Sequence, residues 1–247
     1  MLAQIRSELL KLVTVRTSLF FALAAAGFVA LVLTIQAATA GGEFMGPLSD
    51  AATQRALFLT AGAAPLIAIV FGCLGVTSEL RHHTIVSTLL VDASRIRVIT
   101  AKTIATLLAG AGLGAIAVAV SIVGTGLILL VTGTSLSVEI VDVVAAGAGT
   151  IGGAALGAVF GLGIGGVVRN QALAVGAVLI LMLAIEPLVT SLLPDVGPWL
   201  PSALVTVLAE AQTGGPIGLA AAAITLAGYA LVTTVGAALT LQHADVT

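Results

Sequence analysis

The chain contains few side chains that could act on a substrate or hold a ligand. Its 247 residues include one cysteine, three histidines, nine Lys and Arg, and eleven Asp and Glu. A P-loop requires Gly-x-x-x-x-Gly-Lys followed by Ser or Thr, and neither Lys11 nor Lys102 follows a glycine. The motifs His-Glu-x-x-His and Gly-x-Ser-x-Gly are also absent. The sequence therefore predicts no catalytic residue and no nucleotide site in this chain.

The possible metal ligands are poorly placed to hold an ion. His82 and His83 are adjacent, so on a helix their side chains point about 100° apart and make a poor chelate. Cys73 lies in an apolar run, which is typical of a small buried hydrophobic residue. We expect neither a metal ion nor a cofactor in this chain.

A regular series of glycines is the most ordered pattern in the sequence. Its five members are spaced four residues apart and are Gly149, Gly153, Gly157, Gly161 and Gly165. On a helix they form one smooth face that another helix backbone can approach closely. We assign this face to helix packing, either as a close pair within one subunit or as a sliding or dimer surface.

These residues must be positioned by helices that cross a bilayer. The chain is 59% hydrophobic and 8% charged, whereas soluble domains carry about 25% charged residues. Crossing about 30 Å of hydrocarbon takes about 20 helical residues, and no segment shows the alternation of a membrane β-strand. We predict an all-α integral membrane protein, a single transmembrane domain over 1–247. Its spans, about six in number, are 19–40, 57–78, 103–132, 143–168, 172–193 and 217–241.

The distribution of charge predicts how the spans are oriented. Eight of the nine Lys and Arg residues precede the first span or lie in the loops after the second and fourth, and only Arg55 falls on the other side. Because basic residues near helix ends remain cytoplasmic, both termini are predicted to be cytoplasmic. The acidic residues assigned to the outer face are Glu43, Asp50, Glu139, Asp142, Glu186, Asp195 and Glu210.

With Glu186 placed outside, the interiors of all six spans are expected to lack ionisable side chains. Ion-coupled carriers usually place such groups at the centre of the bundle, where they are costly and functional. If this protein moves solutes uphill, we therefore expect the energy to enter from outside the bilayer.

Two segments outside the spans have a character of their own. In the segment 1–17, apolar and polar side chains separate onto opposite helical faces, which predicts an interfacial helix along the inner leaflet. The alternative is a first span that begins early and protrudes. In the segment 194–216, three prolines surround Trp199, which predicts an outer-face cap with the tryptophan at the membrane boundary.

The loop between the second and third spans resembles that of a known family. It reads Gly75-Val-Thr77-Ser-Glu79-Leu-Arg81-His-His-Thr84-Ile85, then Thr88-Leu89-Leu90, Arg95-x-Arg97 and Ala101-Lys102. The N-terminal run reads Ser7-Glu8-Leu9-x-Lys11-Leu12, followed by Arg16. With six spans and internal termini, the chain resembles ABC-2 type transporter permeases. Ala93 stands where members of that family often carry a proline.

The resemblance implies the membrane-spanning permease subunit of an ATP-driven ABC exporter in a bacterial cell membrane. Segment 1–17 becomes an elbow helix, and the loop 79–102 contains a cytoplasmic coupling helix that docks on a separate ATPase. That partner binds ATP and Mg, a second permease subunit completes the substrate path, lipids surround the dimer, and no nucleic acid is involved. The implied elbow residues are Glu8 and Lys11, and the implied coupling residues are Glu79, Arg81, Thr84, Ile85 and Leu89.

Two other functions fit the same composition. One is a passive channel or facilitator, which works without ATP, and the other is a membrane scaffold or immunity protein that binds a partner without moving solute. The loop 79–102 also has a simpler interpretation, as a basic inner loop that obeys the positive-inside rule. That rule explains its Arg and Lys residues but not Thr77, Glu79 and Thr84.

Overall fold

A computed structural model describes residues 2–43, 45–81, 95–211 and 215–242 of the chain, and these residues form helices and connecting turns without any β-strand. Two 3-10 segments, Leu59–Ala63 and Gly197–Trp199, and one π-helical segment, Leu181–Ile185, interrupt the α-helices. The α-helices are α1 (Leu2–Thr14), α2 (Arg16–Thr39), α3 (Ala51–Phe58), α4 (Ala64–Arg81), α5 (Arg95–Thr132), α6 (Ile140–Val168), α7 (Gln171–Ile180), α8 (Glu186–Leu192), α9 (Pro201–Ala209) and α10 (Leu219–Gln242).

Six stretches within the described residues are long and apolar enough to cross a membrane. They are Arg16–Thr39, Ala51–Glu79, Arg97–Thr132, Ile140–Val168, Gln171–Leu192 and Leu219–Thr240. The predicted all-α fold with six membrane-crossing helices is confirmed at this level. The longest helix, α5, has 38 residues and so a length of about 57 Å, well beyond the about 30 Å of hydrocarbon that it must cross.

The first helix is separate from the first span. Val15 lies between α1 and α2 with an extended backbone, φ −75° and ψ 132°, which ends one helix before the next begins. This break excludes a single continuous helix over the first 39 residues. α1 packs against α5.

α6 is the central helix of the bundle and the most buried of the six spans. α4, α5 and α10 pack around it, and glycines on both sides of each contact allow the backbones to touch. A Cβ added at Gly72 of α4 would lie 1.8 Å from the carbonyl oxygen of Ala158, and one added at Gly163 would lie 2.3 Å from Oγ1 of Thr233. Close packing therefore replaces the hydrophobic driving force that lipid removes.

Two spans contain irregular turns that have identifiable causes. In the second span, the hydroxyl of Ser121 donates to the carbonyl oxygens of Leu57 and Phe58 at 3.1 and 2.9 Å, where the α-helix gives way to the 3-10 segment. In the fifth span, Pro187 cannot donate a backbone hydrogen bond, and its ring crowds the carbonyl group four residues earlier. The π-helical segment just before it widens the helix at this position.

Hydrogen bonds between connecting segments and helix ends identify the two ends of the bundle. At the end that we name the cap end, the side chain of Gln54 donates to the carbonyl oxygens of Leu48 and Ser135 at 2.9 and 2.8 Å. At the opposite end, named the elbow end because α1 lies there, Arg169 donates to the carbonyl oxygen of Thr240. Successive spans therefore run in opposite directions.

The segment between the fifth and sixth spans folds back into the bundle. Its helix α9 packs against α6 and α10, and Leu204, Val205 and Leu208 of α9 are buried. The sequence predicts an outer-face cap over 194–216, and in the structure α9 of this segment packs its apolar side chains between neighbouring spans.

Candidate functional site

Three helices converge at the elbow end around the two boundaries of residues 82–94. α4 ends at Arg81 just before this segment, α5 begins at Arg95 just after it, and α1 packs along the first part of α5. Residues 82–94 are joined by the chain to the end of α4 and to the start of α5. The side chains that connect these helices are therefore the first candidates for a functional role.

A charged cluster joins all three helices. The ammonium group of Lys102 on α5 lies 2.7 Å from Oε2 of Glu8 on α1 and 2.6 Å from Oε1 of Glu79 on α4. The ammonium group of Lys11 lies 2.5 Å from the other oxygen of Glu8. We name these four residues, Glu8, Lys11, Glu79 and Lys102, the elbow cluster. Lys102 of α5 thus bridges α1 to α4, the helix that precedes residues 82–94.

Three of the four side chains of the elbow cluster are shielded from solvent, Lys11 is 44% exposed, and the four charges balance. The side chain of Lys102 is 13% exposed, and those of Glu8 and Glu79 are 7% and 20% exposed. Burial alone would raise the pKa of the Glu8 carboxyl, but the charge of Lys102 and hydrogen bonds from Lys102 and Lys11 hold this pKa below its ordinary value. Glu8 is therefore ionised at neutral pH, and shielded pairs of this kind are costly to break one partner at a time.

Arg81 connects a different pair of helices. Its guanidinium group lies 3.4 Å from the side-chain oxygen of Gln171, at the start of α7. The resemblance implies coupling roles for both Glu79 and Arg81. The structure gives Glu79 the partner Lys102 and gives Arg81 the partner Gln171, so α4 is tied to α5 and α7 separately.

The predicted docking residues Thr84, Ile85 and Leu89 lie outside the described residues, so their role stays a prediction. Lys102 is the residue that the prediction omitted from the site. The sequence did indicate that Lys102 has a partner. It stands at the edge of a long apolar segment, where a buried charge is usually paired.

The glycine series on α6 lies inside the chain. A Cβ at Gly149 would lie 1.8 Å from the carbonyl oxygen of Leu208 on α9, and one at Gly161 would lie 1.9 Å from that of Ile69 on α4. The added carbons at Gly153, Gly157 and Gly165 would likewise meet residues of the second span at 3.5, 2.9 and 2.6 Å. Of the two interpretations left open by the sequence, the structure shows the close-packed pair within one subunit.

Glu186 corrects the expectation that the spans lack ionisable groups. It lies within the membrane-crossing stretch Gln171–Leu192 and is 1% exposed, so its assignment to an outer loop is wrong. Its Oε2 accepts hydrogen bonds from the backbone N–H of Ser202, at 2.8 Å, and from the Ser202 hydroxyl. The predicted span 172–193 already enclosed this residue, so the sequence contained the signal. What it did not show was the serine that folds back to meet the carboxylate.

Arg55, the basic residue that departs from the charge rule, also has a structural role. Its guanidinium group donates to the carbonyl oxygen of Glu210 at 2.9 Å, immediately after α9. A cation at this position compensates the partial negative charge at a helix C-terminus. This hydrogen bond holds the side chain of Arg55 at the cap end of the bundle.

No family model matches the sequence, and no curated protein matches it. Within the described ranges, no three His, Cys, Asp or Glu side chains come together where they could share a metal ion. The function must therefore be argued from the bundle and from the elbow cluster.

Proposed function

We propose that this protein is the membrane-spanning permease subunit of an ATP-driven exporter, working as a dimer and coupled to a separate ATPase subunit. The observation that supports this proposal best is the position of Lys102. It joins the elbow helix to both helices that flank residues 82–94, the segment in which the resemblance to ABC-2 type permeases places the docking element.

The elbow cluster supports coupling because it makes three helix ends respond together. A partner that presses on residues 82–94 displaces the end of α4 and the start of α5. Since Lys102 holds Glu79 and Glu8 at once, these two helices and α1 shift as one unit. α4 and α5 both pack closely on α6, so the displacement continues into the centre of the bundle.

The distribution of charge supports an elbow end that faces the cytoplasm. Basic residues of α1, α4 and α5 lie at this end, together with Arg169. Arg55 lies at the cap end, where its guanidinium group binds the carbonyl oxygen of Glu210 after α9. An ATPase that uses cytoplasmic ATP would meet the protein on this side. The chain has no P-loop, so ATP and Mg belong to the partner in this proposal.

The experiment is co-purification of the tagged chain with a separately expressed ATPase subunit from the same organism, beginning with any ATPase encoded in an adjacent reading frame. We expect the two to form a complex, and we expect Ile85→Asp combined with Leu89→Asp to abolish it. These changes introduce charge into an apolar docking face outside the hydrocarbon, so membrane insertion should remain intact. The matched control is Leu136→Asp with Ile140→Asp, two exposed apolar positions with the same spacing at the cap end, which should leave the complex unchanged.

Three outcomes contradict the proposal. Solute flux through the purified chain without nucleotide would favour a passive channel. Stable binding of a partner with no ATPase and no transport would favour a scaffold or immunity protein. A full complex and full transport in the doubly substituted loop would show that docking occurs elsewhere.

A further inference from the structure

One face of α2 is left uncovered by the described part of the chain. Arg16, the first residue of this helix, is exposed, and so are the side chains of Leu19, Phe20 and Leu23, at 61%, 69% and 60%. Their spacings of three, four and seven residues place them on one side of the helix. We name these four residues, together with Gly27, the Arg16 face. The proposed function does not use this face.

The bundle holds α2 by its opposite side. Ala25, Val29 and Leu33 are buried, and α2 packs against α5 and α4. Phe21 stacks edge-to-face on Phe71 of α4, with ring centroids 5.4 Å apart. Because these contacts lie on the other side of the helix, the Arg16 face is available to a molecule outside the chain.

The Arg16 face reaches about halfway across the bilayer. Gly27 lies eleven positions after Arg16, so a helix rise of about 1.5 Å per residue gives the face a length of about 16 Å. That length is close to half of the about 30 Å of hydrocarbon, the depth of one leaflet. A Cβ added at Gly27 would have no atom within 4 Å, so the deep end of the face is a recess open to an acyl chain. One phospholipid therefore matches the face in length.

Arg16 lies at the level of the lipid headgroups, because it is the first residue of the membrane-crossing stretch Arg16–Thr39. The acidic residues that the structure describes at the elbow end are Glu8 and Glu79, and both bind Lys102. Within the described ranges, no further acidic side chain is therefore present at this level to neutralise Arg16.

α1 repeats this combination of a cation and an apolar side chain. Arg6 and Leu10, one helical turn apart, are both exposed, whereas Glu8 is buried and Leu12 packs against the core. The helix therefore contacts the bundle with one side and presents a guanidinium group and a leucine on another. This is the arrangement of a helix that lies at a membrane surface.

The charge of this region decides between a second copy of the chain and a lipid as the occupant of the Arg16 face. A second copy would bring the same basic residues to the same level, with its own Glu8 and Glu79 engaged by Lys102. An anionic phospholipid instead offers a phosphate, which a guanidinium group binds through paired hydrogen bonds, and acyl chains for the apolar side chains below. Each Lys or Arg near an anionic lipid surface strengthens binding about fivefold.

We propose that the Arg16 face is a binding site for an anionic phospholipid of the leaflet at the elbow end. The phosphate lies at the guanidinium group of Arg16, and an acyl chain lies along Leu19, Phe20 and Leu23 towards Gly27. The net negative charge of the headgroup distinguishes this lipid from a zwitterionic one. The site is independent of ATPase coupling, and its test uses the isolated chain.

Quenching of a tryptophan by brominated lipids measures which lipid lies beside it. In a Trp199→Phe background, Phe20→Trp places the reporter on the Arg16 face, one turn from Arg16. The full chain is reconstituted in phosphatidylcholine nanodiscs in which phosphatidylglycerol with brominated acyl chains replaces part of the lipid, and a parallel series uses brominated phosphatidylcholine. We expect phosphatidylglycerol to bind beside the reporter about fivefold more strongly than phosphatidylcholine. Arg16→Gln should remove most of this preference, and Arg16→Lys, which keeps the charge, should retain it.

Two controls show whether the preference belongs to this face. Arg81 lies at the same end but binds Gln171, so Arg81→Gln should leave the preference unchanged. The unsubstituted chain has its sole tryptophan, Trp199, exposed at the cap end, where phosphatidylglycerol should have no advantage. If Phe20→Trp fails to fold, Leu23→Trp reports from the same face.

The quenching data can overturn the proposal in several ways. Absence of quenching by either lipid would show that a second copy of the chain covers the face. Equal binding of the two lipids, or an unchanged preference in Arg16→Gln, would show that Arg16 does not recognise headgroup charge. An equal preference at Trp199 would assign the selectivity to the whole protein surface. Loss of the preference when inorganic phosphate is added at constant ionic strength would assign the site to a soluble anion.

Discussion

Lys102 shows how much can depend on a single side chain in a protein with few charges. Its ammonium group neutralises two carboxylates that approach it from different helices, Glu8 at 2.7 Å and Glu79 at 2.6 Å. Without it, these like charges would face one another in a shielded space. The cluster therefore contributes to the docking of α1 on the bundle, together with the apolar packing of Leu12.

Lys102→Met should destabilise the protein by about 3–5 kcal/mol, the usual cost of leaving buried charge uncompensated. Thermal unfolding in detergent would measure this loss. The control is Arg81→Gln, which removes an exposed hydrogen bond and should change stability by about 0.5 kcal/mol or less. Adding Glu8→Gln and Glu79→Gln to Lys102→Met should recover most of the loss. Equal melting temperatures for Lys102→Met and Arg81→Gln would show that the cluster does not hold α1.

Docking of α1 should also depend on pH. The folded-state pKa of Glu8 lies below its ordinary value of 4.5, so its contribution to stability is fully present above that value. The contribution should disappear as the pH falls through the lowered pKa. Limited proteolysis at the α1–α2 junction, between about pH 7 and about pH 3, would detect release of the helix. In Glu8→Gln this acid-dependent step should be absent, and its persistence there would assign the step to another group.

These residue-level contacts were predictable only in part. The resemblance implied roles for Glu8, Lys11 and Glu79 through the sequence runs in which they lie, and the structure places these three side chains around Lys102. The partnership of Lys102 with Glu8 crosses 94 positions of sequence, and no local pattern encodes it. The same holds for Glu186 and Ser202, which meet only because α9 folds back into the bundle.

At the scale of helices, α6 organises the bundle through its glycines. The spacing of four residues predicted one smooth face and a close approach, and both follow from helical geometry. The sequence could not identify the neighbours, because the partner helices present a carbonyl oxygen to these glycines and every residue has one. The structure shows α4 and α9 on this face.

A matched pair of substitutions on α6 tests this packing. Gly161→Ala places a carbon 1.9 Å from the carbonyl oxygen of Ile69, which forces α4 and α6 apart and should cost about 1–3 kcal/mol or more. Gly152 lies on the same helix with no atom within 4 Å of its added carbon. Gly152→Ala should therefore be neutral, or stabilising by up to about 1 kcal/mol through helix propensity. If thermal unfolding gives both variants the same stability, the glycine series does not determine helix packing.

At the scale of the whole molecule, the bundle has two chemically different ends. Basic residues lie mainly at the elbow end. At the cap end, the side chains of Gln54, Arg55 and Glu186 instead form hydrogen bonds with backbone groups of neighbouring segments. The number of spans was predictable because lipid demands about 20 apolar residues per helix. The arrangement of the spans around α6 was not, since lipid-facing and helix-facing residues are equally apolar in this sequence.

The polarity of the two ends predicts orientation in the membrane. In a Cys73→Ala background, a cysteine introduced at Ser137 or Asp195 should react with an impermeant thiol reagent applied to intact cells. A cysteine at Ser94 should react only after the membrane is permeabilised. Labelling of Ser94→Cys in sealed cells would place the elbow end outside and would separate it from a cytoplasmic ATPase.

The most direct test of the proposed energy transfer through the elbow cluster is the rate of ATP hydrolysis by the complex of this chain with the proposed partner ATPase in nanodiscs. The wild-type chain should stimulate hydrolysis above the rate of the ATPase alone. Lys102→Gln combined with Glu8→Gln and Glu79→Gln, which leaves no buried charge uncompensated, should still bind the ATPase through residues 82–94 but should lose this stimulation, because α1, α4 and α5 no longer move together. Full stimulation by this triple variant, or no effect of the wild-type chain on hydrolysis, would contradict coupling through this cluster.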